Sequence, residues 1–179
     1  LRNLPVPIIK VKDTRRVLSK IASKFYKNPS KKLKIIGVTG TNGKTTTSSL
    51  IKSIFDSADI DAAQLGTNGL ISKCNFYNSS LTTPDPIYLN KLISMLVEKK
   101  VSYLIMEVSS HSIDQHRVTD IEFDTAIFTN LSQDHLDYHK TIDNYFNTKL
   151  KLFKMIKDNR KCVINYDNQY GKIIDKKIK

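Results

Sequence analysis

Lys44 sits within the run Gly40-Thr41-Asn42-Gly43-Lys44-Thr45-Thr46, whose residue types suit one task. Glycines let successive backbone N–H groups turn inward around an anion. Lysine adds a mobile positive charge, and the threonine that follows offers a hydroxyl to a hard cation. The common spacing G-x-x-x-x-G-K-[ST] needs glycine at position 38, where Val38 stands, so the pattern here is Gly40-x-x-Gly43-Lys44-Thr45. Its neighbours strengthen the reading. The β-branched apolar run Leu33–Thr39 reads as a buried strand, and Thr45–Asp56 reads as a helix with Leu50, Ile51, Ile54 and Phe55 on one face. Strand, glycine loop and helix N-terminus in that order form a phosphate cradle. Lys44 is expected to reach the β and γ phosphates of a nucleotide, and Thr45 to hold Mg²⁺.

A carboxylate suited to the same cation follows. Glu107 ends the strand-like run Val101–Met106, and in an open α/β sheet the carboxyl ends of strands face the ligand crevice. Mg²⁺ prefers carboxylate and phosphate oxygens. Such a carboxylate could also cap a neighbouring helix. The run Thr125–Thr129 leads into the polar stretch Asn130–His139 on the same expected edge. Taken alone, His135 in that stretch reads first as a structural histidine.

These residues need elements to position them, and the pattern supplies an alternation. Residues 14–26 place Val17, Leu18, Ile21, Ala22 and Phe25 at helical spacing, with Thr14 as the expected N-cap. Residues 63–81 read as short strand-like pieces cut by Gly66 and Gly69, an excursion from the main sheet. Ile87–Lys100 and Thr141–Ile156 read as helices, and 161–165 as a fourth buried strand. Apolar strands alternating with helices predict the α/β class: a mostly parallel sheet, carrying the phosphate loop, with helices on both faces. The sheet is expected to look unfinished after its fourth strand.

The length of 179 residues suits one sizeable domain. No apolar run approaches the ~20 residues of a membrane span, and no signal-peptide pattern opens the chain. Leu1–Pro5, without Met, reads as a cut end. Cys74 and Cys162 lie far apart with no metal-ligand spacing, as in a reducing cytoplasm. The net charge of +12 would suggest polyanions, but its distribution does not: residues 1–34 carry +10, residues 151–179 carry +6, and the middle, with the motifs, carries −4. The excess is read as solvated surface, with no nucleic-acid or membrane partner expected.

The blocks Gly40–Thr46, Thr82-Thr83-Pro84, Glu107-Val108-Ser109-Ser110-His111, Gln115-His116-Arg117, Thr129–His139 and Asn144-Tyr145-Phe146-x-x-Lys149-x-Lys151-Leu152-Phe153 occur in that order. Together they resemble the Mur ligases of the MurE type, from about residue 5 to residue 170. A related ligase such as folylpolyglutamate synthase would share the loop and Glu107 but lack the Ser109–Arg117 block. The resemblance implies ATP-dependent amide-bond formation in peptidoglycan precursor synthesis: meso-diaminopimelate or L-lysine joined to UDP-MurNAc-L-Ala-D-Glu through an acyl phosphate, with ATP and Mg²⁺ as cofactors. It implies catalytic roles for Lys44, Glu107, His135 and Lys149, and nucleotide contacts from Gly40, Thr41, Asn42, Gly43, Lys44, Thr45, Thr46 and Asn130. Thr82, Thr83, Ser109, Gln115 and Arg117 match positions that contact the UDP-muramoyl peptide, and the bidentate fork of Arg117 suits a carboxylate or pyrophosphate. Thr45, Glu107, His135 and Lys149 would hold metal, Lys149 as a carbamate, with Asp134, Asp137 and His139 as supporting candidates. Residues 1–30 are then the tail of a UDP-binding domain and its linker. Residues 31–179 are a truncated central ATPase domain, and the C-terminal domain that reads the amino acid is absent. A cytoplasmic enzyme, monomeric when complete, is expected. The alternative is a non-catalytic remnant that keeps only Mg-ATP binding.

Overall fold

The computed structural model describes residues 6–73, 75–79, 81–157 and 161–178. The element order is α1 (Thr14–Phe25), a short 3₁₀ turn (Pro29–Lys31), β1 (Lys34–Thr39), α2 (Lys44–Ser57), β2 (Ala62–Gly66), β3 (Gly69–Ser72), β4 (Asn75–Tyr77), α3 (Pro86–Glu98), β5 (Tyr103–Glu107), α4 (Ser110–Asp114), β6 (Thr125–Phe128), α5 (Leu136–His139), α6 (Ile142–Phe153), β7 (Cys162–Ile164) and α7 (Gln169–Ile178). The strands form one sheet in the order β4-β3-β2-β5-β1-β6-β7. β2, β5, β1, β6 and β7 run parallel, and β3 is antiparallel to both its neighbours. β1 lies between β5 and β6, with Val38 beside Glu107 and Thr39 beside Phe128, so three strand ends deliver their next residues to one edge.

Helices cover both faces. α2 covers one, over Val38, Ala62 and Ile105 with Ile36, Ile51, Phe55, Tyr103 and Ile127 packed around them. The larger core lies on the other face, where Ile35, Leu104, Leu89, Ile93, Phe128 and Phe153 are all but fully buried beneath α3, α6 and α7. Removing each such Ile or Leu from water contributes about 1.5–3 kcal/mol. Cys74 and Leu1–Pro5 lie outside the described residues. Among those described, no helix is long and apolar enough to cross a membrane.

Several expectations need correction. The pieces at 63–81 are no excursion: β2 is a wholly buried parallel member of the main sheet and carries β3 and β4 beside it. Among the described residues the sheet therefore has seven strands, and α7 follows the last of them. α1 is capped by Asp13, whose carboxylate accepts from Arg16 N at 3.0 Å, and Thr14 is its first helical residue. The helix buries Ser19, Ala22 and Ser23, while Leu18, Ile21 and Phe25 face solvent. The short residues allow close approach, and Ser19 Oγ accepts from Asp120 N at 3.4 Å. In α2, likewise, Leu50 and Ile54 are exposed and Ser48 and Lys52 are buried. Lys52 is neutralised by Asp56 one turn on.

Candidate active site

The phosphate loop joins β1 to α2. Gly43 has φ of 81°, a left-handed conformation that strains any side chain, and no side chain caps α2 there. The first-turn N–H groups of α2 are thus open to an anion. The loop is pinned to the segment after β6. Thr41 N donates to Asn130 O at 3.0 Å, and Asn42 N to Asn130 Oδ1 at 3.0 Å. Asn130 Nδ2 and Thr129 Oγ1 both donate to Asn42 O, at 3.2 and 2.7 Å. Lys44 Nζ donates to Gly40 O and Thr41 O, both at 2.9 Å. Burial holds its pKa below the usual lysine range, opposed by the charges of Glu107 and Asp134. Thr46 lies exposed in the first turn of α2.

Glu107 is wholly buried at the end of β5. Its Oε2 accepts from Thr45 Oγ1 at 2.9 Å and Thr67 Oγ1 at 3.2 Å, and its Oε1 from Thr67 N at 3.1 Å. Every one of these donors is neutral, and among the described residues Glu107 forms no ion pair. A buried carboxylate without a bonded counter-charge, set among hydroxyl oxygens, fits a hard divalent cation. Gly66 is obligatory beside it, because an added Cβ would run into the carboxylate.

Lys149, 1% exposed on α6, donates to Gly40 O at 2.8 Å, with its Nζ 4.4 Å from the centre of the Tyr145 ring. Burial first, and the Lys44 charge second, lower its pKa to about 7. Tyr145 OH lies 3.3 Å from Thr41 Oγ1, which ties α6 to the phosphate loop.

On the other side of Glu107, Thr83 Oγ1 donates to Glu107 O at 2.9 Å and accepts from Ser109 N at 3.2 Å. Ser109 caps α4. Arg117 donates from Nη1 to Thr83 O at 2.9 Å and from Nη2 to Gln115 Oε1 at 2.6 Å. Thr82 Oγ1 lies 3.2 Å from Thr67 Oγ1. The expected nucleotide and acceptor residues therefore share one edge. His135 stands apart from Glu107's bonding shell: its ring faces His111 at 4.9 Å and Tyr145 at 6.1 Å, and its N–H donates to Asp134 Oδ1 at 2.8 Å. His139 is buried, its Nε2 2.9 Å from Ser110 Oγ, so it joins α5 to α4. Burial pushes His139 and His111 below the usual histidine range. Asp137 lies exposed on α5. Among the described residues no three His, Cys, Asp or Glu side chains gather as a metal-holding group.

A family model described as the Mur ligase middle domain matches residues 38–179. The chain belongs to the Mur ligase family. It is 49% identical over 170 residues, 95% of its length, to the UDP-N-acetylmuramoyl-L-alanyl-D-glutamate–2,6-diaminopimelate ligase of Clostridium botulinum. It is 47% identical over 93% of its length to the enzyme of that name from Fusobacterium nucleatum. These matches cover 35% and 34% of the relatives, so the chain spans about a third of the curated relatives' length. A solved structure of a ligase of that name superposes with a TM-score of 0.79 at 32% identity, over 94% of this chain and 34% of that one. Folylpolyglutamate synthase of Mycobacterium tuberculosis, complexed with ADP and AMPPCP, shares the fold alone, with a TM-score of 0.71 at 12% identity over 90% of this chain and 44% of that one.

In this Mur ligase chain, sequence reasoning missed two residues that the geometry brings forward. Thr67 is the main support of Glu107, and a threonine in a turn gives no chemical signal. Tyr145 belongs to the block Asn144–Phe153, but nothing in its residue type foretells that it lies under Lys149 and reaches Thr41.

Proposed function

We propose that this chain is the nucleotide-binding part of a ligase that joins diaminopimelate to UDP-N-acetylmuramoyl-L-alanyl-D-glutamate, using ATP. The names of the relatives supply the acceptor and the amine. One observation carries the reading: Glu107 touches both halves of the reaction, its side chain bonded to Thr45 of the phosphate loop and its main-chain oxygen to Thr83 of the acceptor cluster. In this division residues 1–30 are the tail of a UDP-binding domain and its linker, and residues 31–179 belong to the ATPase domain.

Lys44 and the first-turn N–H groups of α2 neutralise the phosphates. Thr45 and Glu107 would hold Mg²⁺, which would supply positive charge against the phosphate oxygens. His135, with Lys149 once it is a carbamate, would hold a second cation. A glutamate carboxylate oxygen of the acceptor attacks the γ-phosphorus as the bond to ADP breaks. The amine nitrogen then attacks the acyl carbon, phosphate leaves with the C–O bond electrons, and the amine gives up a proton. Arg117, held by Thr83 O and Gln115, keeps further N–H donors for an acceptor carboxylate or pyrophosphate. Lys149 reacts as a neutral amine with CO₂, releasing a proton and becoming a carbamate. Its pKa of about 7 supports that chemistry, and the new negative charge would answer Lys44.

The test is the full-length polypeptide with ATP, the UDP-muramoyl dipeptide and diaminopimelate. Release of ADP and phosphate that requires both co-substrates is expected. Nucleotide binding without turnover would overturn the reading in favour of a non-catalytic remnant, and turnover with lysine alone would overturn the amine.

A further inference from the structure

We propose that Thr67 is a positioning residue: it fixes the plane of the Glu107 carboxylate for a divalent cation and couples that carboxylate to Thr82 on the acceptor side. The inference rests on the reading of Glu107 and Thr45 as the cation site. Thr67 and Asn68 form the two-residue turn of the β2–β3 hairpin, between the paired Gly66 and Gly69. Gly69 takes φ of 81°, and Gly66 leaves no space between backbone and carboxylate. The hairpin is thus closed down on Glu107, and its tip residue donates to both carboxylate oxygens: N–H to Oε1 at 3.1 Å and O–H to Oε2 at 3.2 Å. Rotation of the carboxylate about its terminal bond breaks at least one of these. Thr45 bonds only Oε2, so by itself it leaves the plane free to turn.

Thr67 also faces outward. Its Oγ1 lies 3.2 Å from Thr82 Oγ1. A hydroxyl has one proton, and that of Thr67 is committed to Glu107, so Thr82 must donate to Thr67. The protons then run in one direction, from Thr82 through Thr67 to Glu107. A cation held by Glu107 would fix the carboxylate that orders the Thr67 hydroxyl, and Thr67 in turn orders the Thr82 hydroxyl, whose remaining lone pairs are then set toward the acceptor. Cation binding and acceptor binding are linked through two hydroxyls, and by thermodynamic reciprocity each tightens the other.

The experiment is calorimetric titration of the full-length protein with ADP at increasing Mg²⁺, with and without the UDP-muramoyl dipeptide. Residues that orient a metal ligand typically change metal affinity 10–100-fold when lost. Thr67→Val, which keeps the N–H and removes the hydroxyl, should raise the Mg²⁺ needed for half-maximal ADP binding by about 10-fold and abolish the effect of the dipeptide. Thr67→Ser should restore both. An unchanged Mg²⁺ requirement in Thr67→Val would overturn the proposal. Glu107→Gln separates the two levels: if it too leaves the requirement unchanged, the cation site itself is misassigned, whereas a shift in Glu107→Gln alone refutes only the role of Thr67. Should Thr67→Val fail to fold, Thr82→Val serves instead. It should keep the Mg²⁺ requirement and lose the dipeptide effect, and retention of that effect would refute the coupling.

Discussion

Lys44 at the mouth of the phosphate loop and Lys149 beneath it on α6 donate to the same atom, Gly40 O, at 2.9 and 2.8 Å. Burial lowers the pKa of both, but the compensation differs. Lys44 feels Glu107 and Asp134, which favour its charged form. For Lys149 the second influence is the positive charge of Lys44 itself, and its pKa falls to about 7. Position relative to the carboxylates therefore sets the charge: Lys44 at the mouth is favoured as a cation, and Lys149 behind it is easily made neutral.

The comparison is broken most directly by removing each lysine. Lys44→Ala should weaken nucleotide binding by about 2–5 kcal/mol, the usual loss when one partner of a buried charged contact is truncated. Calorimetry with ATP or ADP checks this, and retained tight binding would sink the loop assignment. Lys149→Met should keep nucleotide binding and lose turnover. Equal loss of nucleotide in both variants would make the two lysines equivalent.

Arg117→Ala takes the test to the acceptor side. Its loss should raise KM for the UDP-muramoyl dipeptide by about 10–100-fold, as for a hydrogen bond to a charged group, with little change for ATP. Equal changes in both would remove Arg117 from the acceptor site.

The pH dependence sharpens the contrast further. Lys149 titrates near 7 when folded, against an ordinary 10.5. Between those values the unfolded chain binds more protons than the folded one, so Lys149's contribution to stability rises with pH across that window and its penalty is full below about 7. CO₂ uptake, followed by ¹³C NMR with labelled bicarbonate, should rise through about pH 7 in the parent and vanish in Lys149→Met. Uptake that is flat across that pH would contradict the neutral-amine reading. The smallest effect is expected from Tyr145→Phe, which removes one hydroxyl contact to Thr41 and should cost about 0.5–1.5 kcal/mol in thermal or chemical unfolding.

The sequence carried the parts of the site whose chemistry is written in residue type. Gly43, Lys44, Thr45 and Glu107 declare themselves by kind and spacing, and β1 and α2 by the apolar runs around them. The helix faces were less legible. Ser19 and Ser23 are buried because they are small and their hydroxyls find partners, while Leu18 and Phe25 lie open, so apolar periodicity pointed to the wrong side of α1. β2 was read as a strand-like piece outside the main sheet because Ala62-Ala63-Gln64 is no hydrophobic run, although it is wholly buried and Gln64 is answered by Ser49 of α2. Thr67 was invisible for a different reason: what matters there is the register of the hairpin, which places its tip on a carboxylate 40 residues away.

That register bears on how the molecule folds. Thr41 and Asn42 complete the phosphate loop by bonding to partners 91 and 88 residues further along the chain, and β1 pairs with β5 and β6 on either side of it. Loops of that size must close before any of these contacts forms, which makes folding slow compared with a helical bundle. A half-folded chain has no phosphate cradle at all. Nucleotide can bind only after the central strands have met, and it then draws the equilibrium toward the native state, by about 2.7 kcal/mol at 100 times its dissociation constant. On the proposed reading the nucleotide is also a folding ligand, and its concentration helps set how much of the chain stays folded.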